Sequence, residues 1–220
     1  MTDELKRQAA LRALDEIRDG MIVGLGTGST ASHFIRELGK AQLKVAGIPT
    51  SEASRQLAQE AGVRLTNLQE HPRIDVTVDG ADEVSPQLDL IKGLGGALVR
   101  EKIVAHASAR VVIVVDESKL VERLGAKTFI PVEVIPLAVP CVLLRLRELG
   151  GEARIREKGG QPFVSDNGNS IVDWSHGVVD DPSRLEKQLK SITGVVDSGI
   201  FADVADCVIV AGNQGIKRLT

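Results

Sequence analysis

Short apolar runs that end in glycines or polar residues recur along this chain, separated by stretches with helical spacing. Residues 3–18 place Leu5, Ala9, Leu11, Leu14 and Ile17 on one helical face, and Gly20 is the stop signal. The run 21–25 reads as a buried strand and is followed by a helix from Ser29 to Leu38. A strand at 43–48, a helix at 52–61, a strand edge at 63–66 and a strand from Ile74 to Val78 follow. A helix from Ala97 to Ala107 and a strand from Val111 to Val115 complete this series, and Cys207 to Ala211 repeats the pattern of an apolar run ending in glycine. Strands that are apolar throughout and alternate with helices predict an α/β fold: an open, mostly parallel, Rossmann-like sheet with helices on both faces.

The stretch between these parts has a different rhythm. A strand at 131–134, a helix from Pro136 to Leu149, strands at 152–156 and 163–173, a helix after Asp180-Asp181-Pro182 to Ile192 and a strand at 195–200 follow in order. The turn-forming Asp166-Asn-Gly-Asn169 interrupts the second of the two middle strands. Strand-helix-strand-strand-helix-strand is the split βαβ, ferredoxin-like order. The expected organisation is a catalytic α/β domain at 1–129 and 201–220, with a small α+β domain inserted at 130–200. The small domain's apolar strands suggest a surface for self-association, and a homodimer is the default symmetric expectation.

Composition narrows the function. Over 220 residues, 43% are hydrophobic and 26% charged, as in a folded globular chain. The net charge of −3 and only five aromatic residues argue against a nucleic-acid partner. No apolar run approaches the roughly 20 residues of a membrane span, and the N-terminal segment has no apolar signal-peptide core. A cytoplasmic protein is expected. Cys141 and Cys207 lie far apart inside apolar runs and read as buried structural thiols. The four histidines fall in no metal-ligand spacing, so no metal site is expected.

Ligands of open α/β sheets bind beyond the carboxyl ends of the strands, and several of those ends carry polar sequence here. Gly24-Leu-Gly-Thr-Gly-Ser-Thr30 is either a phosphate cradle or a structural strand-to-helix turn. Backbone N–H groups and the hydroxyls of Thr27, Ser29 and Thr30 would supply the cradle's donors. It lacks the third glycine of a dinucleotide fingerprint and the Lys-Ser/Thr of a Walker loop. Val78-Asp-Gly-Ala-Asp-Glu-Val84 places Asp79 and Asp82 after an apolar strand. They read either as an acid/base pair with divergent proton affinities or as an acidic turn, with a magnesium site a further reading. Lys92-Gly-Leu-Gly-Gly-Ala-Leu-Val-Arg-Glu-Lys102 leads a glycine-rich loop into a helix. Glu101 there is either a usable base or an exposed capping residue. Lys119, in Val115-Asp-Glu-Ser-Lys119, either supplies a point charge to a phosphate, positioned by Asp116, or forms a surface ion pair.

Taken in order, GLGTGST, DGADEV, KGLGGALVREK, VDESK and PVEVIP resemble type A ribose-5-phosphate isomerases, over almost the whole length. DNGN at 166–169, Thr193-Gly-Val-Val196 and the GIF near 201 extend the resemblance. It implies the two-domain architecture above and cofactor-free interconversion of ribose 5-phosphate and ribulose 5-phosphate, in the pentose phosphate pathway. It implies that Glu101 carries the proton, that Lys92 stabilises the reacting oxygens, and that Asp79 and Asp82 lie near the sugar hydroxyls. Asp82 is the first choice for opening the sugar ring and Asp79 the second. Thr27, Gly28, Ser29, Thr30, Gly80, Ala81, Gly93, Leu94, Gly95 and Lys119 are implied substrate contacts. Lys6, beside Arg7, aligns more weakly with a lysine that approaches the phosphate. Leu94 departs from the family's usual glycine and puts the loop's backbone contacts in question. Competing readings are an amino-sugar-phosphate deaminase or acyl-CoA transferase of the same broad fold, a sugar-phosphate sensor domain and a nucleotide-binding module. DGADE followed by KGLGGALVREK favours the isomerase.

Overall fold

The computed structural model describes residues 3–220 and divides into two compact units. The first comprises residues up to Ala81, Arg100–Lys119 and Val204–Thr220; the second comprises Asp82–Val99 and Leu120–Asp203. The second unit therefore takes in residues 82–99, 120–129 and 201–203 beyond the expected 130–200. The reason is a small antiparallel sheet in which Leu90–Ile91 pairs with both Glu83–Val84 and Ile200–Phe201.

The first unit is built on a six-stranded sheet. From one edge its order is Gly215–Leu219, Cys207–Gly212, Val111–Asp116, Val76–Asp79, Ile22–Leu25 and Ala46–Pro49. All neighbours are parallel except the first pair, which is antiparallel. Alternation sorts the side chains between the two faces. Val23, Leu25, Val76, Val78, Val112, Val114, Cys207 and Ile209 form one core with Ala9 and Ala13 of helix Asp3–Ala13 and with Phe34, Ile35 and Leu38 of helix Ser29–Lys40. On the opposite face, Ile48 and Ile74 pack with Val104 of helix Leu98–His106.

Several expected boundaries move. The first helix stops at Ala13 and continues only as a 3-10 turn, Leu14–Glu16. The second strand begins at Ala46 rather than residue 43, and residues 63–66 contribute one bridge, between Leu65 and Gly47. Cys141 is exposed, not buried, because it lies on the solvent side of helix Val139–Glu148, whose buried residues are Val139, Val142 and Leu146. Cys207 is buried as expected, and its thiol is pushed up by loss of hydration. Among the described residues, no helix is long and apolar enough to cross a membrane.

The second unit carries a four-stranded antiparallel sheet in the order Val195–Ser198, Ile130–Val134, Ser170–Ser175, Glu152–Ile155. Helices Val139–Glu148 and Pro182–Lys190 connect these strands in the ferredoxin-like sequence. Trp174 is fully buried in this core and still donates its indole N–H to the Gly150 carbonyl at 2.8 Å. The expected strand at 163–173 begins only at Ser170. Ahead of it, Glu157–Lys158 and Gln161–Pro162 form a hairpin across Gly159-Gly160, both at positive φ. The Asp166–Asn169 turn hangs on buried Glu133, whose Oε1 accepts from Ser165 Oγ, Asn167 Nδ2 and Asn169 Nδ2 at 2.9–3.0 Å.

Candidate active site

In the first unit, adjacent parallel strands end in the polar segments singled out above. Register pairs Gly24 with Thr77, so the strand ends two positions on bring Gly26 opposite Asp79. A β-carbon at Gly24 would lie 1.8 Å from Thr77 Oγ1 and 2.7 Å from Val104 Cγ1; one at Gly26 would lie 2.2 Å from Asp79 Oδ1. The two glycines therefore admit two different neighbours, a helix at Gly24 and a carboxylate at Gly26.

Asp79 is 2% exposed. Its Oδ1 accepts from the N–H of Thr27 at 3.0 Å and of Gly80 at 2.7 Å, which stabilise a carboxylate taken out of water. Thr27 turns its hydroxyl to Thr50 Oγ1 and Ser51 Oγ, each at 2.8 Å. Gly28 precedes helix Ser29–Lys40 at φ 110°, and a side chain there would meet open space, so the glycine is required by conformation rather than by crowding. The first N–H groups of that helix have no partner within it, and Ser29 and Thr30 stand at this end. Lys6 reaches it: Nζ donates to Ser29 Oγ at 2.8 Å.

Glu101 lies in the first turn of helix Leu98–His106 and is 4% exposed. Val104, one turn later, is the residue that contacts Gly24. The helix runs against the strands, so Glu101 sits one turn nearer the strand ends that carry Gly26 and Asp79. The preceding Arg100 donates to Glu52 Oε1 at 3.1 Å and fixes this turn; hydrogen bonds from Arg55 and Arg100 hold Glu52 below the usual carboxylate range. Lys119 is half-buried at the end of the turn Glu117–Lys119, after strand Val111–Asp116. Asp116 Oδ1 accepts from Ser118 N at 2.8 Å and from the Ser118 hydroxyl, so it shapes the turn that presents Lys119.

The second unit holds the remaining candidates. Half-buried Asp82 takes the N–H of Leu94 on Oδ2 at 3.0 Å. Lys92 is 3% exposed, with Nζ 5.5 Å from the centre of the Phe201 ring. Gly93 and Gly96 have φ of 97° and 84°. Leu94 does not share that left-handed backbone, and its side chain is 37% exposed, so a residue larger than glycine fits without displacing the loop. Ala81 is half-buried at the edge of the first unit, and Gly95 is exposed in the loop. No cluster of three or more His, Cys, Asp or Glu able to hold a metal ion occurs among the described residues.

Thr50, Ser51 and Arg156 are not among the candidates read from sequence. The strand-end rule reaches Thr50 and Ser51, which follow Ala46–Pro49. No local signal marks Arg156, whose partners at Gly93 and Leu94 are more than 60 positions away.

Residues 46–215 match the family model of ribose 5-phosphate isomerase A (phosphoriboisomerase A). The chain belongs to the ribose-5-phosphate isomerase A family. A ribose-5-phosphate isomerase A of Methanothermobacter thermautotrophicus is 53% identical over 98% of this chain and 97% of its own. One from Rhodopseudomonas palustris is 50% identical over 99% and 97%. Among solved structures, a D-ribose-5-phosphate isomerase in complex with phospho-erythronic acid superposes with a TM-score of 0.97 at 42% identity, covering 100% of this chain and 99% of that one. The isomerase of Methanocaldococcus jannaschii superposes at 0.95 with 45% identity, covering both chains completely. The family-model match begins after Lys6 and Gly24–Thr30, whereas the full-length relatives include these segments.

Proposed function

We propose that this chain interconverts D-ribose 5-phosphate and D-ribulose 5-phosphate through an ene-diolate, with Glu101 carrying the proton. In the open-chain aldose the Glu101 carboxylate removes the proton from C2; the electron pair forms a C1–C2 double bond while the C1 carbonyl pair moves onto O1. Returning that proton to C1 while the O2 hydroxyl proton passes to O1 gives the ketose. One carboxylate serves as base and then acid when it lies over one face of the planar ene-diolate, within reach of both carbons. No net oxidation occurs, so the reaction needs no electron acceptor.

The observation that carries this reading is the burial of Glu101 in the first turn of its helix, one turn from the Gly24–Val104 contact. A carboxylate withdrawn from water is not spent on solvation. Lys92 offsets the charge that grows on O1 and O2. Asp82 is assigned to ring opening, with Asp79 near the sugar hydroxyls. Thr27, Gly28, Ser29, Thr30, Lys119 and Lys6 are assigned to the phosphate, on the strength of the helix N-terminus behind Gly28 and the Lys6–Ser29 hydrogen bond. Phosphate held remote from C2 supplies the binding energy that aligns C2 with the base.

The test is conversion of ribose 5-phosphate to ketose by the purified chain with chelator present and no cofactor added. Ketose is expected to form; a chain that binds the sugar phosphate and forms none overturns the assignment and leaves a sensor-type binding role.

A further inference from the structure

The Lys92–Gly96 loop is gripped from within its own unit by Arg156. Nη1 of Arg156 donates to two successive carbonyls, Gly93 O and Leu94 O, each at 2.9 Å. The rest of the guanidinium is committed to Asp173: Nε reaches Oδ1 at 3.0 Å and Oδ2 at 3.2 Å, and Nη2 also donates to Oδ1. The rings of Phe129 and Phe163 lie 5.6 and 5.9 Å from its central carbon. Phe163 occupies the space that a β-carbon at Gly96 would need, 2.4 Å from its Cε1, so the far end of the loop rests on the same cluster.

Planar trans peptides turn this grip into a directional constraint. In each peptide the N–H points opposite to the carbonyl it shares. With the Gly93 carbonyl on Arg156, the Leu94 N–H faces away and donates to Asp82 Oδ2 at 3.0 Å. With the Leu94 carbonyl on the same nitrogen, the Gly95 N–H is turned to that side too. Of these two N–H groups the first already holds the Asp82 carboxylate, and the second is placed to favour an oxygen that carries negative charge.

We infer that Arg156 is a positioning residue for the isomerisation: it orients the Gly95 N–H group and, through the Leu94 N–H, the Asp82 carboxylate toward the substrate's oxygens. This rests on the functional reading above, in which Asp82 opens the sugar ring and Lys92, at the start of the same loop, offsets the charge on O1 and O2. Stability alone is a weak reason to keep the pair, since a buried Arg–Asp pair roughly breaks even against apolar packing. The geometry also demands an arginine, because a lysine ammonium cannot span two carbonyls and a carboxylate with a planar fork.

The experiment uses the full chain carrying Arg156→Lys and, separately, Arg156→Ala, with ribose 5-phosphate as substrate and thermal unfolding as the fold control. Arg156→Lys keeps the charge opposite Asp173 and is expected to fold. Its kcat should fall by about 10²-fold, the scale of a small misplacement of reacting groups, with KM within about threefold of the parent. Millimolar methylguanidinium should restore turnover to Arg156→Ala, a response that lost packing alone would not give. A folded Arg156→Lys with kcat within about threefold of the parent, or a loss confined to KM, overturns the inference. A parent chain that forms no ketose sinks the functional reading and this inference with it; an active parent matched by Arg156→Lys sinks this inference alone.

Discussion

Gly26 and Asp79 occupy opposite ends of one contact: the glycine's missing side chain is the space that the aspartate carboxylate fills, 2.2 Å from where a β-carbon would stand. The register that pairs Gly24 with Thr77 makes this contact obligatory. Gly26→Ala should push Asp79 off the N–H groups of Thr27 and Gly80. We expect a loss of about 1–3 kcal/mol in stability, the usual cost of overpacking, and a loss of turnover larger than the unfolded fraction explains. Urea unfolding and steady-state kinetics on one preparation check both; an alanine variant with parental kcat would show that the Asp79 geometry is not needed.

Glu101→Gln keeps the shape of the side chain and removes its basicity. The expected result is a kcat lower by about 10²–10⁴, with KM close to the parent. Near-parental turnover would place the base elsewhere.

Lys119→Ala is expected to act through binding. Losing a charge-assisted contact to phosphate should raise KM by roughly 10-fold or more, with a smaller change in kcat. A change in kcat alone would remove Lys119 from the phosphate.

Hydrogen bonds from Arg7 and Lys40 hold the Glu37 carboxyl below its ordinary value of 4.5. A depressed carboxylate contributes stability that is fully present above that ordinary value and is lost as pH falls through the lower folded value. Glu37→Gln should therefore be less stable than the parent at neutral pH, and the difference should close in acid below about 4.5. Thermal unfolding across pH 3–7 checks this; a difference that stays constant with pH would contradict the role given to these two cations.

The two thiols should separate in a labelling experiment. Iodoacetamide should modify exposed Cys141 in the folded chain, while buried Cys207, whose thiol is pushed up, should react only on unfolding. Equal rates would mean that the sheet opens locally at strand Cys207–Gly212.

Much of this architecture can be read from the sequence because its main strands are continuous apolar runs that end in glycine or acid, as at Ile22–Leu25 and Val111–Asp116. The ferredoxin-like order is legible for a related reason: its turns carry Gly150-Gly151 and Asp166-Asn-Gly-Asn169. The short strands at Glu83–Val84, Leu90–Ile91 and Ile200–Phe201 escape because two residues have no periodicity. Edge strand Gly215–Leu219 escapes because it is largely exposed and carries Lys217 and Arg218 amid its apolar positions. The motif residues stand out because glycines, acids and lysines clustered at the ends of apolar strands are unusual in composition. Arg156 does not, since its role comes from two carbonyls that any loop sequence would offer.

The parallel pairing of Val111–Asp116 with Cys207–Gly212 joins strands separated by the whole of Leu120–Asp203. During synthesis Val111–Asp116 must wait, one edge unpaired, while that intervening segment emerges and forms its own core. Local βα pairs can assemble early, but sheet completion carries the entropy of a long closure and is expected to be the slow phase of refolding. A nascent chain stalled before residue 207 would present the apolar edge of Val111–Asp116 to its neighbours, which makes that interval the one in which this protein is most prone to aggregate.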